Sequence, residues 1–309
     1  MAAAIWFSSG RTKTLQSFRR NTGRTVGTSL ILREDVINRL IHFMKQPKEL
    51  KFTLKDRVAA FFDHAEDLVP PKKIAAMVGG GDFKAVGEEF LRLFIQRGGL
   101  KANSAVLDMG CGCGRIAVPL LKYLDAAGSY EGLDIMKVAI DWCQKNISAR
   151  NPRFNFRLAD VYNGYYNPGG RFVPSEYRFP YDDSKFDFAV FTSVFTHLQP
   201  NDMRHYVAEA ARVLKPGGKC FMTFFIINAD SQSLMKSSGA KMNFRFPRAG
   251  YFAAEERKAD ETAIAFEEPV VRGRINENGM RLEEPIHFGS WSGRKNYTSF
   301  QDILIAVKT

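Results

Sequence analysis

Residues 104–115 read Ser104-Ala105-Val106-Leu107-Asp108-Met109-Gly110-Cys111-Gly112-Cys113-Gly114-Arg115. Ala105, Val106 and Leu107 make a short apolar run of strand type that ends in Asp108. Three glycines then alternate, and an apolar-periodic segment begins. Alternating glycines let the main chain turn tightly and approach a ligand, because no Cβ blocks positive φ or close contact. Where such a loop joins a parallel strand to a helix, a ligand lies across the strand's carboxyl end. The spacing is D-x-G-x-G-x-G, not the G-x-G-x-x-G of dinucleotide sites. An acid at the strand tip suits a cationic ligand better than a pyrophosphate.

Outward from the loop, strand and helix patterns alternate, which predicts a doubly wound parallel sheet. Upstream, apolar residues at helical period run over 34–44 and 54–69, and Pro70-Pro71 stops the second run. Val86, Phe90, Leu93 and Phe94 mark one face of a further helix ending at Gly98-Gly99. Residues 34–99 therefore read as a helical cap. Downstream, Ile116, Leu120, Leu121 and Leu124 predict a helix, and 129–134 a second strand ending in Asp134. Val138, Ala139, Trp142 and Cys143 predict a third helix, and 155–158 a third strand. Residues 161–182 form a long loop, 186–192 a fourth strand and 202–214 a helix. Lys215-Pro216-Gly217-Gly218 reads as a turn, followed by a fifth strand to Ile227. Residues 228–270 are polar and irregular and look inserted. Two last apolar runs, 286–291 and 303–307, are expected to pair antiparallel and close the sheet. The expected fold class is α/β, a Rossmann-like doubly wound sheet of seven strands with the last antiparallel, behind an N-terminal helical cap. The domain plan is an arm at 1–33, the cap at 34–99, and the main domain at 100–309 with its insertion.

At 309 residues with 45% hydrophobic content, the chain can hold one large domain plus an appendage. No apolar run approaches the length of a transmembrane span. Cys111, Cys113, Cys143 and Cys220 show no metal-like C-x-x-C spacing, so no metal site is expected, and a reduced cytoplasmic protein is. The net charge of +11 is uneven: residues 1–60 carry twelve Lys or Arg against four Asp or Glu. No acid precedes Glu34, while Arg11, Lys13, Arg19, Arg20 and Arg24 sit among Ser and Thr. That composition fits a solvated arm, a surface for anionic lipid or nucleic acid, or an organelle transit peptide. The remainder is close to charge balance, which argues against a nucleic-acid substrate.

The ordered landmarks resemble the class I S-adenosylmethionine-dependent methyltransferases over residues 77–227, and in topology alone over 286–309. Asp108 to Gly114 resembles their first motif, with Asp108, Gly110, Cys111, Gly112 and Gly114 around the methionine end of the donor. Asp134, with Ile135 beside it, would accept the ribose hydroxyls, as strand-end acids do in related nucleotide folds. Leu158-Ala159-Asp160 resembles the segment whose acid meets the adenine amino group, with Val161 against the ring. Val213 to Gly218 resembles the turn before the fifth strand. Residues 78–83 and 289–294 are similar to a bacterial small-molecule subgroup. The resemblance implies S-adenosylmethionine as cofactor and S-adenosylhomocysteine as product.

Methyl transfer from a sulfonium is an in-line displacement, so alignment and desolvation supply most of the acceleration. A base is required where the nucleophile sheds a proton early, as a hydroxyl does. The segment after strand four reads Thr192-Ser193-Val194-Phe195-Thr196-His197-Leu198. It lacks the Asn-Pro-Pro-Tyr or Asp-Pro-Pro-Tyr of amino-methylating enzymes, and no paired-glutamate loop is present. Thr192 is expected beside the donor. His197 is the candidate general base, its alternative role being to cap or pack the loop. Tyr162, Tyr165 and Tyr166 line an acceptor pocket or cover the adenine. Asp82 and Phe83 precede a helix that closes over the donor, with an ordinary N-cap as the alternative for Asp82. Trp291 and Arg294 reach an acidic or ring-shaped acceptor, or are simply a buried Trp and a surface Arg. These expectations describe a methyltransferase for a sugar or other small metabolite, with oxygen the favoured acceptor atom. RNA- or protein-directed transfer through the basic arm, and donor binding without catalysis, are the alternatives. The sequence leaves oligomeric state open.

Overall fold

The computed structural model describes residues 68–164, 166–236, 239–254 and 263–309. The basic arm, most of the expected cap and Tyr165 lie outside the described residues. The described part of that cap holds a short helical stretch (Lys72–Ala75, Ala76–Val78) and helix α1 (Phe83–Gln96), with Phe83, Val86, Phe90, Leu93 and Phe94 of α1 buried along one stripe. Asp82 caps it by accepting from the Ala85 N–H at 2.8 Å. Strand β1 (Ala105–Met109) then leads through the glycine loop into α2 (Ala117–Tyr123). Strands β2 (Ser129–Asp134) and β3 (Phe154–Leu158) flank α3 (Lys137–Cys143). Strand β4 (Phe186–Phe191) is followed by α4 (Pro200–Val213), which starts with proline at a position whose N–H has no helical partner. Strand β5 (Leu214–Phe224) completes the parallel part.

The Lys215–Gly218 turn is absorbed into β5 as a bulge. Phe186 pairs with Leu214 and Phe188 with Lys219, so the four turn residues loop out between them. The fifth strand ends earlier than expected, at Phe224, and the Ile226 N–H turns away to donate to the Asp302 carboxylate at 2.7 Å. A second, four-stranded sheet begins there. It contains β6 (Ile226–Ile227), β7 (Phe246–Arg248), β8 (Tyr251–Ala253) and β9 (Ile264–Glu267), in the order β6-β9-β8-β7. The 228–270 stretch is thus not irregular: helix α5 (Ala229–Met235) and these short strands organise it, and α6 (Glu268–Glu277) extends it. The penultimate strand also shifts, to β10 (Met280–His287), because its alternation of buried and exposed residues hid it from a search for apolar runs. Strand β10 pairs antiparallel with β11 (Asp302–Lys308), as expected.

The main sheet runs β10-β11-β5-β4-β1-β2-β3. Strand β1 pairs in parallel with both β2 and β4, and Val106, Leu107, Asp108 and Met109 are buried as befits a central parallel strand. Strand order reverses beside β1, which opens a crevice at the carboxyl edge. Aromatic clusters fasten both faces: Phe94 of α1 meets Phe221 edge-on at 4.8 Å, and on the other face Phe195 stacks on Phe224 at 4.6 Å.

Candidate functional site

A cavity of about 270 Å³ occupies that crevice. Its inner wall is the glycine loop. The Gly110 and Cys111 N–H groups donate to the Leu133 carbonyl at 2.7 and 3.2 Å, tying the loop to β2. Gly110 (φ +79°) and Gly112 (φ +52°) both line the cavity in left-handed conformations. A Cβ on Gly110 would lie 2.6 Å from Val194, and one on Gly112 2.7 Å from Val78. Any side chain at either position would displace the opposite wall. Gly114 lies off the cavity, packed toward Ile147 and Cys143.

Asp134 sits at the tip of β2 with both oxygens engaged by main chain: Gly112 N–H donates to Oδ2 at 2.7 Å, and Met136 N–H to Oδ1 at 2.8 Å. Burial raises its pKa, and those N–H donors oppose the rise. Each oxygen keeps a lone pair for a hydroxyl donor. Ile135, Cys111, Val161 and Thr192 are also on the wall.

Asp108 does not reach the cavity. It is fully buried behind the loop, accepts from the Tyr130 hydroxyl at 2.6 Å, and keeps Oδ1 without a partner among the described residues. Burial raises its pKa to about 7, with the Asp134 charge adding and the Tyr130 hydrogen bond opposing. The first-motif acid therefore sits beneath the loop, outside the cavity lining. Asp160 is likewise off the wall. It turns outward to Arg171, whose side chain and backbone N–H both bond it and hold its pKa low. Its neighbours Ala159 and Val161 line the cavity in its place.

Asp82 is the helix cap described above, and Phe83 is buried beneath the Arg115 guanidinium at 5.8 Å. Neither lines the cavity; the wall on that side is the turn at 76–79. Trp291 and Arg294 are also away from it. The Trp291 Nε1 donates to Asp302 at 2.8 Å within an aromatic cluster, and Arg294 pairs with Asp230 at 3.4 Å over the Phe288 ring. They are a buried Trp and a surface-paired Arg.

The other end of the cavity is made of side chains. His197 lies on a single helical turn (Phe195–His197) that closes onto the Val194 carbonyl, and burial lowers its pKa below the ordinary histidine value. Ser193, with φ +58°, is anchored beside it. Its N–H donates to Thr223 Oγ1 at 2.7 Å, and its hydroxyl and that of Thr223 both donate to Gln301 Oε1, at 3.0 and 2.6 Å. Tyr162 and Tyr166 line the mouth, and Tyr206 of α4 lines the cavity with them. Sequence reasoning missed Arg115, Ser193 and Tyr206. Tyr206 lies within the 202–214 helix, and Arg115 directly follows the last glycine of the loop, so neither carried a site signal of its own. Among the described residues, no group of three His, Cys, Asp or Glu is placed to hold a metal ion.

A seven-stranded sheet of this order, with a glycine loop after β1 and an acid closing β2, defines the Rossmann-like class I methyltransferase architecture. Residues 106–218 match the family described as "Methyltransferase domain", and this part of the chain carries the fold and landmarks of a class I S-adenosylmethionine-dependent methyltransferase domain. A phthiotriol/phenolphthiotriol dimycocerosates methyltransferase from Mycobacterium tuberculosis is 34% identical over 113 residues, which are 37% of this chain and 34% of that protein. A tRNA N(3)-cytidine methyltransferase from Gallus gallus is 26% identical over 121 residues, 39% of this chain and 30% of that one. The matched stretch thus spans about a third of either relative. The crystal structure of a protein from Pyrococcus horikoshii OT3 shares the fold, with a TM-score of 0.51 and 17% identity over 75% of this chain and 93% of that one.

S-adenosylmethionine is the cofactor of this family, and the residues fit it. The cavity has a glycine-built wall that a Cβ would fill, and an Asp134 carboxylate with capacity left for hydroxyl donors.

Proposed function

We propose that the chain methylates a small molecule at oxygen, with S-adenosylmethionine as donor and His197 as general base. The observation that carries this reading is a histidine, just after β4, on the cavity wall beside Tyr162, Tyr166 and Tyr206, with burial lowering its pKa. Arg115 is the one permanent cation among the described lining residues, and its guanidinium is bonded to main-chain carbonyls. An RNA-binding site would instead call for a stripe of exposed cations along the mouth. The M. tuberculosis relative, named for phthiotriol and phenolphthiotriol dimycocerosates, also supports a small-molecule acceptor.

The donor supplies an electrophilic methyl carbon on a sulfonium. Asp134 would accept from the ribose hydroxyls, and Val161 and Ile135 would flank the purine. The acceptor oxygen forms its bond to carbon as the carbon–sulfur bond breaks, and the hydroxyl proton passes to the His197 imidazole. Burial favours neutral His197 at neutral pH, which is the form that can take the proton.

The test is a panel of hydroxylated metabolites, with S-adenosylhomocysteine release as the readout. His197→Ala should lower kcat by roughly 10²- to 10⁴-fold, the range of general-base catalysis, and leave S-adenosylhomocysteine affinity unchanged. The acid limb of the wild-type rate profile should fall below the ordinary histidine range, because burial lowers the His197 pKa. A His197→Ala enzyme with wild-type kcat would remove the base from the mechanism. Activity confined to RNA would overturn the small-molecule reading.

A further inference from the structure

We propose that the cavity mouth is a membrane-docking face: an exposed apolar shelf after β3, with the basic N-terminal chain, seats it on an anionic lipid bilayer, where the acceptor is met. The inference rests on the small-molecule reading above for what enters the cavity, and adds the surface from which it enters.

Most of the large apolar side chains exposed among the described residues fall in one stretch: Leu158, Tyr162, Tyr166, Phe172 and Val173. The fold gathers them. Leu158 ends β3, the edge strand of the main sheet. The chain then doubles back, so that the Phe172 N–H donates to the Asp160 carbonyl at 3.0 Å and the Tyr162 N–H to the Phe172 carbonyl at 2.7 Å. The Tyr166 N–H closes the turn between them on Asn163 Oδ1 at 2.8 Å. Tyr162, Tyr166 and Pro174 also line the cavity, which makes the shelf continuous with its mouth. Single exposed apolar residues are ordinary, whereas a cluster beside a cavity marks an interaction surface.

The chemistry of the shelf selects its partner. Leu158, Phe172 and Val173 offer no hydrogen-bonding group, while the two tyrosines add a hydroxyl to an apolar ring, the mixture that suits a membrane interface. Arg157, Arg171 and Arg178 border the shelf, but each is paired with an acid, Glu131, Asp160 and Asp183 respectively. Paired cations and aliphatic side chains make a poor track for a nucleic-acid backbone. The positive charge comes from another part of the wall. Residues 76–79 line the cavity there, directly after the exposed Lys72 and Lys73. The chain preceding Leu68 enters through this segment, and its first sixty residues carry twelve Lys or Arg against four Asp or Glu. Basic charge draws a protein to an anionic bilayer and apolar side chains then insert, two weak attachments that hold together where either alone is reversible.

Co-sedimentation of the full chain with lipid vesicles tests this, using phosphatidylcholine alone and phosphatidylcholine mixed with phosphatidylglycerol. The wild type should bind the mixed vesicles at least about tenfold more tightly than the neutral ones, and high salt should remove most of that preference. Phe172 and Val173 do not line the cavity, so the double variant Phe172→Glu, Val173→Glu charges the shelf alone. It should bind mixed vesicles roughly tenfold more weakly, with S-adenosylhomocysteine affinity unchanged by calorimetry. Phe172→Ser, a milder change, should lose about threefold and covers a double variant that fails to fold. Absence of vesicle binding by the wild type overturns the proposal, as does wild-type binding by both variants. A wild-type dimer that the double variant breaks, without vesicle binding, overturns it in favour of a second copy of the chain on the shelf. Binding to an RNA oligonucleotide and not to vesicles overturns it in favour of nucleic acid. Turnover of a small hydroxylated acceptor without vesicle binding would sink the docking face and leave the proposed reaction standing.

Discussion

At the glycine-loop end of the cavity the wall is main chain. Gly110 and Gly112 face inward, and their N–H groups bond to the β2 terminus. At the β4 end the wall is side chain: His197, Tyr206 and a Ser193 held by Thr223 and Gln301, residues drawn from four separate stretches of sequence. The difference fits the roles proposed above for the two ends. A donor common to a whole family can be met by backbone, whose geometry depends on glycine spacing alone. An acceptor particular to one protein needs side chains that loops and insertions can change.

The strongest way to break this comparison is to put a side chain into the main-chain wall. Gly112→Val adds a β-branched residue at φ +52° and drives Cβ to within 2.7 Å of Val78. The strain of a left-handed β-branched residue and the displaced wall together should weaken S-adenosylhomocysteine binding roughly 1,000-fold. Tyr162→Phe, at the side-chain end, should leave that affinity within about threefold. Calorimetry on both variants decides it, and similar losses in the two would erase the distinction between the ends.

A second test concerns the acid beneath the loop. Asp108 has a folded-state pKa of about 7 against 3.8 for an ordinary Asp. Between those values the native protein holds a proton that the unfolded chain has lost. Stability therefore falls as pH rises through that window, and the penalty is complete above about pH 7. Asp108→Asn keeps an oxygen to accept from the Tyr130 hydroxyl and removes the buried charge. It should stabilise the protein by about 4 kcal/mol at pH 8 and by almost nothing at pH 4. Urea unfolding at the two pH values measures this, and a variant with no gain at pH 8 would show that Asp108 is already neutral or otherwise compensated.

The same contrast explains which parts were legible in the sequence. The parallel strands, the glycine loop and Asp134 follow from local composition, because each needs particular residue types at fixed spacing. The small sheet at 226–267 did not show, since strands of two to four residues carry no measurable period and their pairing is non-local. Asp108 and Asp160 were placed on the cavity because sequence locates a residue at a strand end without saying which way its side chain turns. Tyr130 draws Asp108 inward and Arg171 draws Asp160 outward, and neither partner lies next to its acid in the chain. The Ser193–Thr223–Gln301 network spans 108 residues, beyond any local pattern.

Asp134 sharpens the comparison, because it is the side chain through which the main-chain wall meets the donor. Asp134→Ala removes the acceptor for the Gly112 and Met136 N–H groups together with any ribose contact. It should weaken S-adenosylhomocysteine binding by roughly 1–3 kcal/mol, the scale of buried hydrogen bonds left unmade. A loosened loop and a lost ribose contact would both give that number. The 2′-deoxyribose form of the same ligand separates them. If Asp134 accepts from the ribose, the wild type should bind the deoxy form about tenfold more weakly, and Asp134→Ala should bind both forms alike. If the carboxylate serves the loop alone, the wild type will bind both forms equally, and the donor end will be main chain in contact as well as in construction.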